Sequence, residues 1–134
     1  MNELADRECV PCRSRADRVD IERLQELSAH VPAWRCVGDH HLERRFELPD
    51  FRSALELVVA IGALAEDTGH HPDLYLSWGK VGVQVWSHSA GGLCEVDFVL
   101  AAKIDRLVRA RRLSSSTPES APRRAEPSSR AAAR

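Results

Sequence analysis

The sequence predicts an α+β fold in which three helices pack on one face of a four-stranded antiparallel sheet. Two features carry this prediction. Short runs of alternating apolar residues occur as two pairs, and each pair is joined by residues that favour a turn. Runs with the 3.6-residue periodicity of amphipathic helices precede, separate and follow these pairs. The element order is therefore α-β-β-α-β-β-α, in which the helices lie together on one side of the sheet.

The length and composition are those of one folded domain with loose ends. A chain of 134 residues with 43% hydrophobic and 29% charged residues has room for a single core. We expect this domain to span residues 17–113, after a flexible leader at 1–16. Residues 114–134 are rich in Ser, Pro, Ala and Arg and lack aromatic and branched apolar side chains, so they predict a disordered tail.

The first half of the chain predicts one helix and one hairpin. The helix covers residues 20–30, where Asp20 is available as the N-cap. Its expected buried face consists of Ile21, Leu24 and Leu27. Strands at 33–38 and 41–48 follow, joined by the turn pair Gly38-Asp39. The second of these strands is expected to bury Leu42, Phe46 and Leu48.

The second half predicts a long helix, a second hairpin and a final helix. The long helix begins at Asp50 and ends at Gly69, because glycine is a frequent C-terminal residue of helices. Its expected buried face consists of Phe51, Leu55, Val58, Val59 and Leu64. Strands at 74–78 and 81–86 follow, joined by a two-residue Gly-Lys turn. The final helix is expected over residues 93–112.

The cysteines are Cys9, Cys12, Cys36 and Cys94. In a chain expected in the cytoplasm, they predict no disulfide framework. Cys9 and Cys12 have the C-x-x-C spacing of zinc and redox sites, but no second such pair follows. A small zinc protein that uses this pair with His40 or His41 is one alternative, and a leader with two thiols is the other.

Charge and hydropathy exclude several classes of partner. The N-terminus lacks the apolar core of a secretory signal, and no apolar run reaches the roughly 20 residues that span a bilayer. We therefore expect a cytoplasmic protein. The net charge of −1 gives no electrostatic reason to expect nucleic acid or a membrane surface as partner. Because one sheet face lacks a predicted cover, a homo-oligomer is favoured.

Three histidines fall near the open end of the second hairpin. If Trp78 pairs with Val81 across the predicted turn, the same register places His71 opposite His88. Adjacent histidines diverge in extended backbone, which disfavours a shared metal ion. Imidazoles titrate near neutrality, so a proton-transfer site with one histidine as acid and another as base is favoured. The serines that flank His88 leave a nucleophilic mechanism as an alternative, without another residue in its support.

Seven spaced residues resemble the signature of the pterin-4a-carbinolamine dehydratases. These residues are Glu66, His70, His71, Pro72, Trp78, His88 and Asp97. The Gly-Lys-x-Val stretch after Trp78 and the Ala-Gly-Gly-Leu stretch before the last helix are also similar to the family. The resemblance covers residues 21–108, and the family fold has the same α-β-β-α-β-β-α order.

The resemblance implies dehydration of 4a-hydroxytetrahydropterin to the quinonoid dihydropterin, the recycling step after aromatic amino-acid hydroxylation. It implies a pterin substrate, a homodimer or homotetramer, and neither a cofactor nor a metal ion. By the same resemblance, His70 and His88 would be the acid and base. His71 would either hydrogen-bond the substrate or share the proton transfer.

The resemblance assigns the other signature residues to substrate binding. Pro72 would shape the pterin pocket beside the histidines. Glu66 and Asp97 would orient imidazoles or bind ring nitrogens of the substrate. Trp78 would pack against its neighbours or line the pocket wall rather than contact the substrate directly.

Two positions depart from the family pattern. Leu74 stands where many members have an aromatic residue, and Cys94 replaces a serine that would cap the last helix. Some animal members of the family also act as dimerisation cofactors of a homeodomain transcription factor, so a non-catalytic interaction scaffold is the alternative function. The intact set of three histidines argues against a scaffold that has lost its activity.

Overall fold

A computed structural model describes residues 3–115 of the chain, and its elements follow the predicted order. They are α1 (Ile21–Ser28), β1 (Arg35–Val37), β2 (His41–Glu47), α2 (Phe51–Thr68), β3 (Asp73–Ser77), β4 (Lys80–Val85) and α3 (Glu95–Ser115). Two short 3₁₀ helices, at Glu3–Asp6 and Arg15–Asp17, precede them. The strands form one antiparallel sheet in the order β1-β2-β4-β3, which confirms the predicted α+β class.

The helices cover one face of the sheet. On β4, the side chains of Val81, Val83 and Val85 are buried on the helix side, and the alternating positions face the uncovered side. Leu42 and Phe46 of β2 extend the buried face, as the sequence predicts. Burial of these apolar side chains stabilises the layers by about 25 cal/mol per Å² of apolar surface removed from water.

Both ends of α2 form as the sequence predicts. The Asp50 carboxylate accepts a hydrogen bond of 2.8 Å from the backbone N–H of Ser53, which is an N-cap interaction. Gly69 ends the helix in the left-handed conformation, with a φ of 73°. Its N–H donates to the Ala65 carbonyl at 2.9 Å. The chain therefore leaves the helix at Gly69, and the next residue, His70, is the first of the histidine pair.

The predicted buried faces of α1 and α2 are partly wrong. Ile21 of α1 is 57% exposed, whereas Leu24 and Leu27 are buried as expected. The buried residues of α2 are Ala54, Leu57, Ile61 and Ala65. Phe51, Leu55 and Val59 are instead exposed by 43%, 42% and 62%. This helix carries apolar residues on two sides, and the side that contains small alanines faces the core, so the larger residues lie on the surface.

The predicted register of the second hairpin is wrong by two residues. Leu76 pairs with Val81 and Ser77 pairs with Lys80, so the turn consists of Trp78 and Gly79. Gly79 has a φ of 72°, a conformation that favours glycine. Its carbonyl also accepts a hydrogen bond of 2.8 Å from the N–H of Leu48. Glycine is therefore required at the second turn position, not at the first, and Trp78 moves from the strand into the turn.

The N-terminal segment contacts the domain, although the sequence predicts a flexible leader there. Leu4 and Ala5 are 2% and 0% exposed and belong to the hydrophobic core. Cys12 forms a disulfide bond with Cys94, so the expectation of no disulfide is wrong for this pair. The zinc alternative needs Cys9 and Cys12 as free thiols, and Cys12 is not free. The short apolar stretch Leu4-Ala5 was too brief to give a periodic signal.

At the other end of the chain, α3 continues to Ser115. The predicted tail begins at residue 114, but Ser114 and Ser115 belong to α3, so the tail prediction is wrong for these two residues. Its remainder, from residue 116 onward, lies outside the described residues. Within residues 3–115, no helix is both long enough and apolar enough to span a membrane.

Candidate active site

A cavity of about 380 Å³ lies between the C-terminal end of α2 and the residues that follow β4. The loop between α2 and β3 supplies one side of this cavity, and the residues after β4 supply the other. The N-terminal segment closes part of the rim. Its lining residues are Pro11, Cys12, Gly69, His70, His71, Pro72, Asp73, Trp86, Ser87, His88 and Ser89. The fold thus brings the three predicted histidines and Pro72 together in one site.

His70 is held by a buried carboxylate. Its Nε2 lies 2.6 Å from Oδ1 of Asp97, and the side chains are 14% and 0% exposed. The other carboxylate oxygen, Oδ2, accepts hydrogen bonds of 2.8 Å from the Ser87 hydroxyl and from the Cys94 backbone N–H. Donors therefore surround the Asp97 charge, which offsets its removal from water. The network fixes the plane of the His70 ring and the nitrogen that faces the carboxylate.

Asp97 owes its position to the start of α3. It lies in the first turn of the helix, where the exposed backbone N–H groups and the helix dipole favour a negative charge. The hydrogen bond that Asp97 accepts from the Cys94 N–H is one half of a capping box. One carboxylate thus caps a helix and orients a histidine.

His71 has a different environment. Its Nε2 lies 2.7 Å from Oε2 of Glu66, near the end of α2, but the two side chains are 58% and 79% exposed. Water and salt screen this contact, and such pairs contribute about 0–1 kcal/mol to stability. The Glu66 side chain is therefore free to exchange His71 for solvent or for another partner.

His88 is held by ring stacking. Its ring centroid lies 3.9 Å from that of Trp86, at an interplanar angle of 22°. Trp86 also contacts the His40 ring: the two ring centroids lie 4.3 Å apart, and the ring planes are inclined by 44°. The indole N–H of Trp86 donates to Asp73 Oδ2 at 3.4 Å, which ties the stack to the start of β3. The indole thus limits the rotation of the His88 ring.

The other predicted site residues fall into two groups. Asp97 and Glu66 lie behind the cavity histidines and contact them rather than the cavity itself. Trp78 lies in the turn at the opposite end of β3, is 68% exposed and does not line the cavity. Within the described residues of this chain, the structure therefore does not bring Trp78 to the site.

Three contributors to the site are not predicted from the sequence. They are Trp86, Asp73 and the segment that contains Pro11 and Cys12. Ser87, which the sequence offers only as a possible nucleophile, donates its hydroxyl hydrogen bond to Asp97. Trp86 lies two residues before His88, and that proximity was the available signal for it. The N-terminal segment gave no signal in the sequence, because its contact with the site joins residues that are 82 positions apart in the chain.

No three His, Cys, Asp or Glu side chains among residues 3–115 are grouped so that they could hold one metal ion. The chemistry that this donor set offers is proton transfer between imidazoles and a bound molecule.

Comparison with known proteins places the chain in a family. The family model described as pterin 4 alpha carbinolamine dehydratase matches residues 17–107. Curated proteins with the name "Putative pterin-4-alpha-carbinolamine dehydratase" are similar in sequence. The protein of Rubrobacter xylanophilus is 46% identical over 107 residues, which cover 80% of this chain and all of the relative. That of Alkaliphilus metalliredigens is 42% identical over 107 residues, which cover 79% and 96% of the two chains.

A solved structure is similar as well. The crystal structure of a transcriptional coactivator/pterin dehydratase from Brucella melitensis superposes with a TM-score of 0.63 at 26% identity. The match covers 67% of this chain and 97% of the Brucella chain. Fold and sequence together define an enzyme of the hydro-lyase class. The chain belongs to the pterin-4a-carbinolamine dehydratase family.

Proposed function

We propose that this protein dehydrates 4a-hydroxytetrahydropterin to the quinonoid dihydropterin by histidine acid–base catalysis. The observation that carries the proposal is the cavity in which His70, oriented by buried Asp97, and His88, stacked on Trp86, both take part. Family membership supports the substrate class, since the relatives carry the name of the dehydratase.

The reaction requires two proton transfers and no net redox change. The bond between C4a and the hydroxyl oxygen breaks as an acid delivers a proton to the departing oxygen. A base removes the proton on N5, and the C4a–N5 double bond forms. One imidazolium and one neutral imidazole on the same cavity perform both steps, and general acid–base catalysis of this kind contributes about 10²- to 10⁴-fold.

The proposed roles follow from the contacts of each residue. His70 and His88 are the acid and base, because one is fixed by a carboxylate and the other by an aromatic ring. Asp97 is a positioning residue that acts through His70, since its side chain is fully buried. His71 and Pro72 bind the pterin at the cavity wall, and Glu66 steers His71. Substrate binding by Trp78 is not supported by its place in the turn.

The biological setting is part of the proposal. An aromatic amino-acid hydroxylase generates the 4a-hydroxypterin substrate, and the reaction recycles the pterin in the cytoplasm. The protein acts as a homodimer or homotetramer, for which the uncovered sheet face and the exposed apolar side chains of α2 offer surfaces. Neither nucleic acid nor a membrane is required.

The test is the decay of 4a-hydroxytetrahydropterin, generated chemically or by a hydroxylase, followed by ultraviolet absorbance with and without the protein. We expect acceleration by the wild type, and loss of most of it in the His70→Ala and His88→Ala variants. Folding of each variant is checked by circular dichroism. Wild-type rates in either folded variant would remove that histidine from the acid–base role.

A non-catalytic scaffold is the second candidate. The Brucella structure carries both names, coactivator and dehydratase, and the exposed residues Phe51, Leu55 and Val59 form an apolar stripe on α2. A folded wild-type protein that fails to accelerate the decay would favour the scaffold over the enzyme.

A further inference from the structure

A disulfide bond ties the segment before the matched domain to the candidate active site. Cys12 is bonded to Cys94 across 82 residues. Cys12 lies outside the residues 17–107 that match the family model, and Cys94 lies within them. Cys94 immediately precedes α3, and its backbone N–H donates to the Asp97 carboxylate that holds His70. One end of the bond therefore lies at the base of the catalytic network.

The other end of the bond lies at the mouth of the site. Pro11 and Cys12 line the same cavity as His70 and His88. The Cys12 carbonyl accepts a hydrogen bond of 2.8 Å from the hydroxyl of Ser89, the residue after His88. A molecule bound between the histidines would contact this wall.

The segment has noncovalent anchors at its two ends. Leu4 and Ala5 are buried in the core at one end. At the other, the Val19 N–H donates to the Leu93 carbonyl at 3.0 Å. Between these anchors, residues 8–13 form neither helix nor strand and are mostly exposed. Within this stretch, Cys9 packs against the core, and the Cys12 carbonyl accepts the hydrogen bond from Ser89. The disulfide adds a covalent cross-link to these contacts, and loss of the bond would loosen the wall without unfolding the domain.

A reductant reaches the bond from the side of Cys12, which is partly exposed, whereas Cys94 is 1% exposed. A second cavity, of about 690 Å³, is lined by both Cys12 and Cys94. Cys9 is a free thiol in the same C-x-x-C stretch, and burial raises the pKa of this thiol. Since the thiolate is the attacking species, Cys9 is a poor internal nucleophile at neutral pH, and its attack would only transfer the disulfide to Cys9. An external dithiol is therefore the appropriate reductant.

We propose that Cys12 and Cys94 form a redox-modification site that closes the wall of the active site when oxidised and releases it when reduced. A thiolate of the external dithiol attacks the Cys12 sulfur, releases Cys94 as a thiolate and forms a mixed disulfide with Cys12. The second thiol of the reductant then displaces the protein sulfur. Cys12 and Cys94 become thiols, and the reductant, which has lost two electrons, becomes a disulfide.

Reduction leaves the catalytic network in place. The bonds of Asp97 to His70, Ser87 and the Cys94 backbone do not involve sulfur. Residues 8–13 gain freedom instead. The reduced protein therefore loses substrate contacts at the wall while the acid and base keep their positions.

The structural test uses the full chain and needs no substrate. Peptide mapping under non-reducing conditions, after alkylation of free thiols, should recover the Cys12–Cys94 linkage. Amide hydrogen exchange of residues 8–13 should be faster after treatment with dithiothreitol. The Cys12→Ser protein should exchange rapidly with or without dithiothreitol, and the Cys9→Ser control should behave as wild type. Free thiols at Cys12 and Cys94 in air-oxidised protein would overturn the proposal. So would an amide hydrogen exchange rate of residues 8–13 that dithiothreitol does not change.

The kinetic test rests on the proposed dehydration. Reduction should raise KM for the 4a-hydroxypterin severalfold with a smaller change in kcat, in the wild type and Cys9→Ser but not in Cys12→Ser. If reduction speeds the amide hydrogen exchange of residues 8–13 but leaves KM unchanged, the proposal that the disulfide controls the active site would be overturned. Absence of any dehydration would overturn the proposed function, and the exchange result would then decide the redox site alone.

Discussion

Two neighbouring histidines each meet a carboxylate at nearly the same distance, yet their surroundings are opposite. The His70–Asp97 contact is 2.6 Å and the His71–Glu66 contact is 2.7 Å. The first pair is 14% and 0% exposed, and the second is 58% and 79% exposed. Asp97 accepts two further hydrogen bonds, whereas Glu66 extends from the surface of α2. Distance alone therefore does not distinguish the two contacts.

The difference shows that a histidine–carboxylate contact fixes the orientation of the imidazole only when the carboxylate is buried. An exposed pair gains little, because water and salt compete for both partners and the side chains lose entropy when they meet. A buried carboxylate that keeps its charge must be surrounded by donors, and His70 is one of three groups that meet this need. His70 therefore cannot turn away without leaving Asp97 undersatisfied. His71 can.

The largest expected difference between the pairs is in catalysis. We expect His70→Gln to lower kcat by about 10²-fold or more, the usual size of a general acid–base contribution. His71→Gln should lower kcat by much less and act mainly on KM, because only the solvent-screened contact with Glu66 holds its ring. Steady-state kinetics of the two variants, made with the same substitution, measure the contrast. Equal losses of kcat would give His71 a share of the proton transfer.

The carboxylates should differ next, in both activity and stability. Asp97→Asn replaces an acceptor of three hydrogen bonds by a poorer one, and we expect a loss of about 1–3 kcal/mol in the free energy of unfolding. We also expect kcat to fall, because the His70 ring is no longer fixed. Urea denaturation and kinetics of the same protein measure both effects.

Glu66→Gln is the matched control for Asp97→Asn. It should leave the free energy of unfolding within about 0.5 kcal/mol of wild type, as for other exposed positions. If the two amide variants were equally destabilised, the argument from burial would be wrong. A loss of activity in Glu66→Gln without a loss of stability would show that Glu66 contacts the substrate.

His88 adds a third case to the comparison, because an aromatic ring rather than a carboxylate holds its imidazole. His88 stacks on Trp86, and we expect Trp86→Leu to lower kcat/KM severalfold, because the ring gains rotational freedom. The His88 ring protons should also lose the ring-current shift of the indole in the proton NMR spectrum. Wild-type kinetics in a variant that has lost this shift would mean that the stack does not position His88.

The fold was predictable because its signals are local. Asp50 and Gly69 delimit α2 through their own backbone preferences, and the alternating valines of β4 mark a half-buried strand. The buried side of α2 was not predictable in the same way. Apolar residues lie on two sides of this helix, and only the contact with the sheet decides which side is covered.

In the candidate site, too, local sequence signals were predictive and tertiary contacts were not predictable. The spacing of the seven signature residues identified the histidines of the cavity, Asp97 and Glu66. The proposed pairing of His71 with His88 depended on a register that the turn at Trp78 and Gly79 shifts by two residues. The difference in burial between Asp97 and Glu66, and the wall formed by Pro11 and Cys12, arise from tertiary contacts that spacing does not encode.

The smallest effect is expected at Trp78, the signature residue that lies apart from both pairs. Trp78→Ser should change kcat/KM by less than about twofold, since the indole is 68% exposed at the far end of β3. The measurement is made at several protein concentrations, because an exposed indole is a common contact between subunits. A tenfold loss at every concentration would mean that this residue belongs to an active site after all. Since it does not line the cavity of its own chain, that site would be the cavity of a second copy.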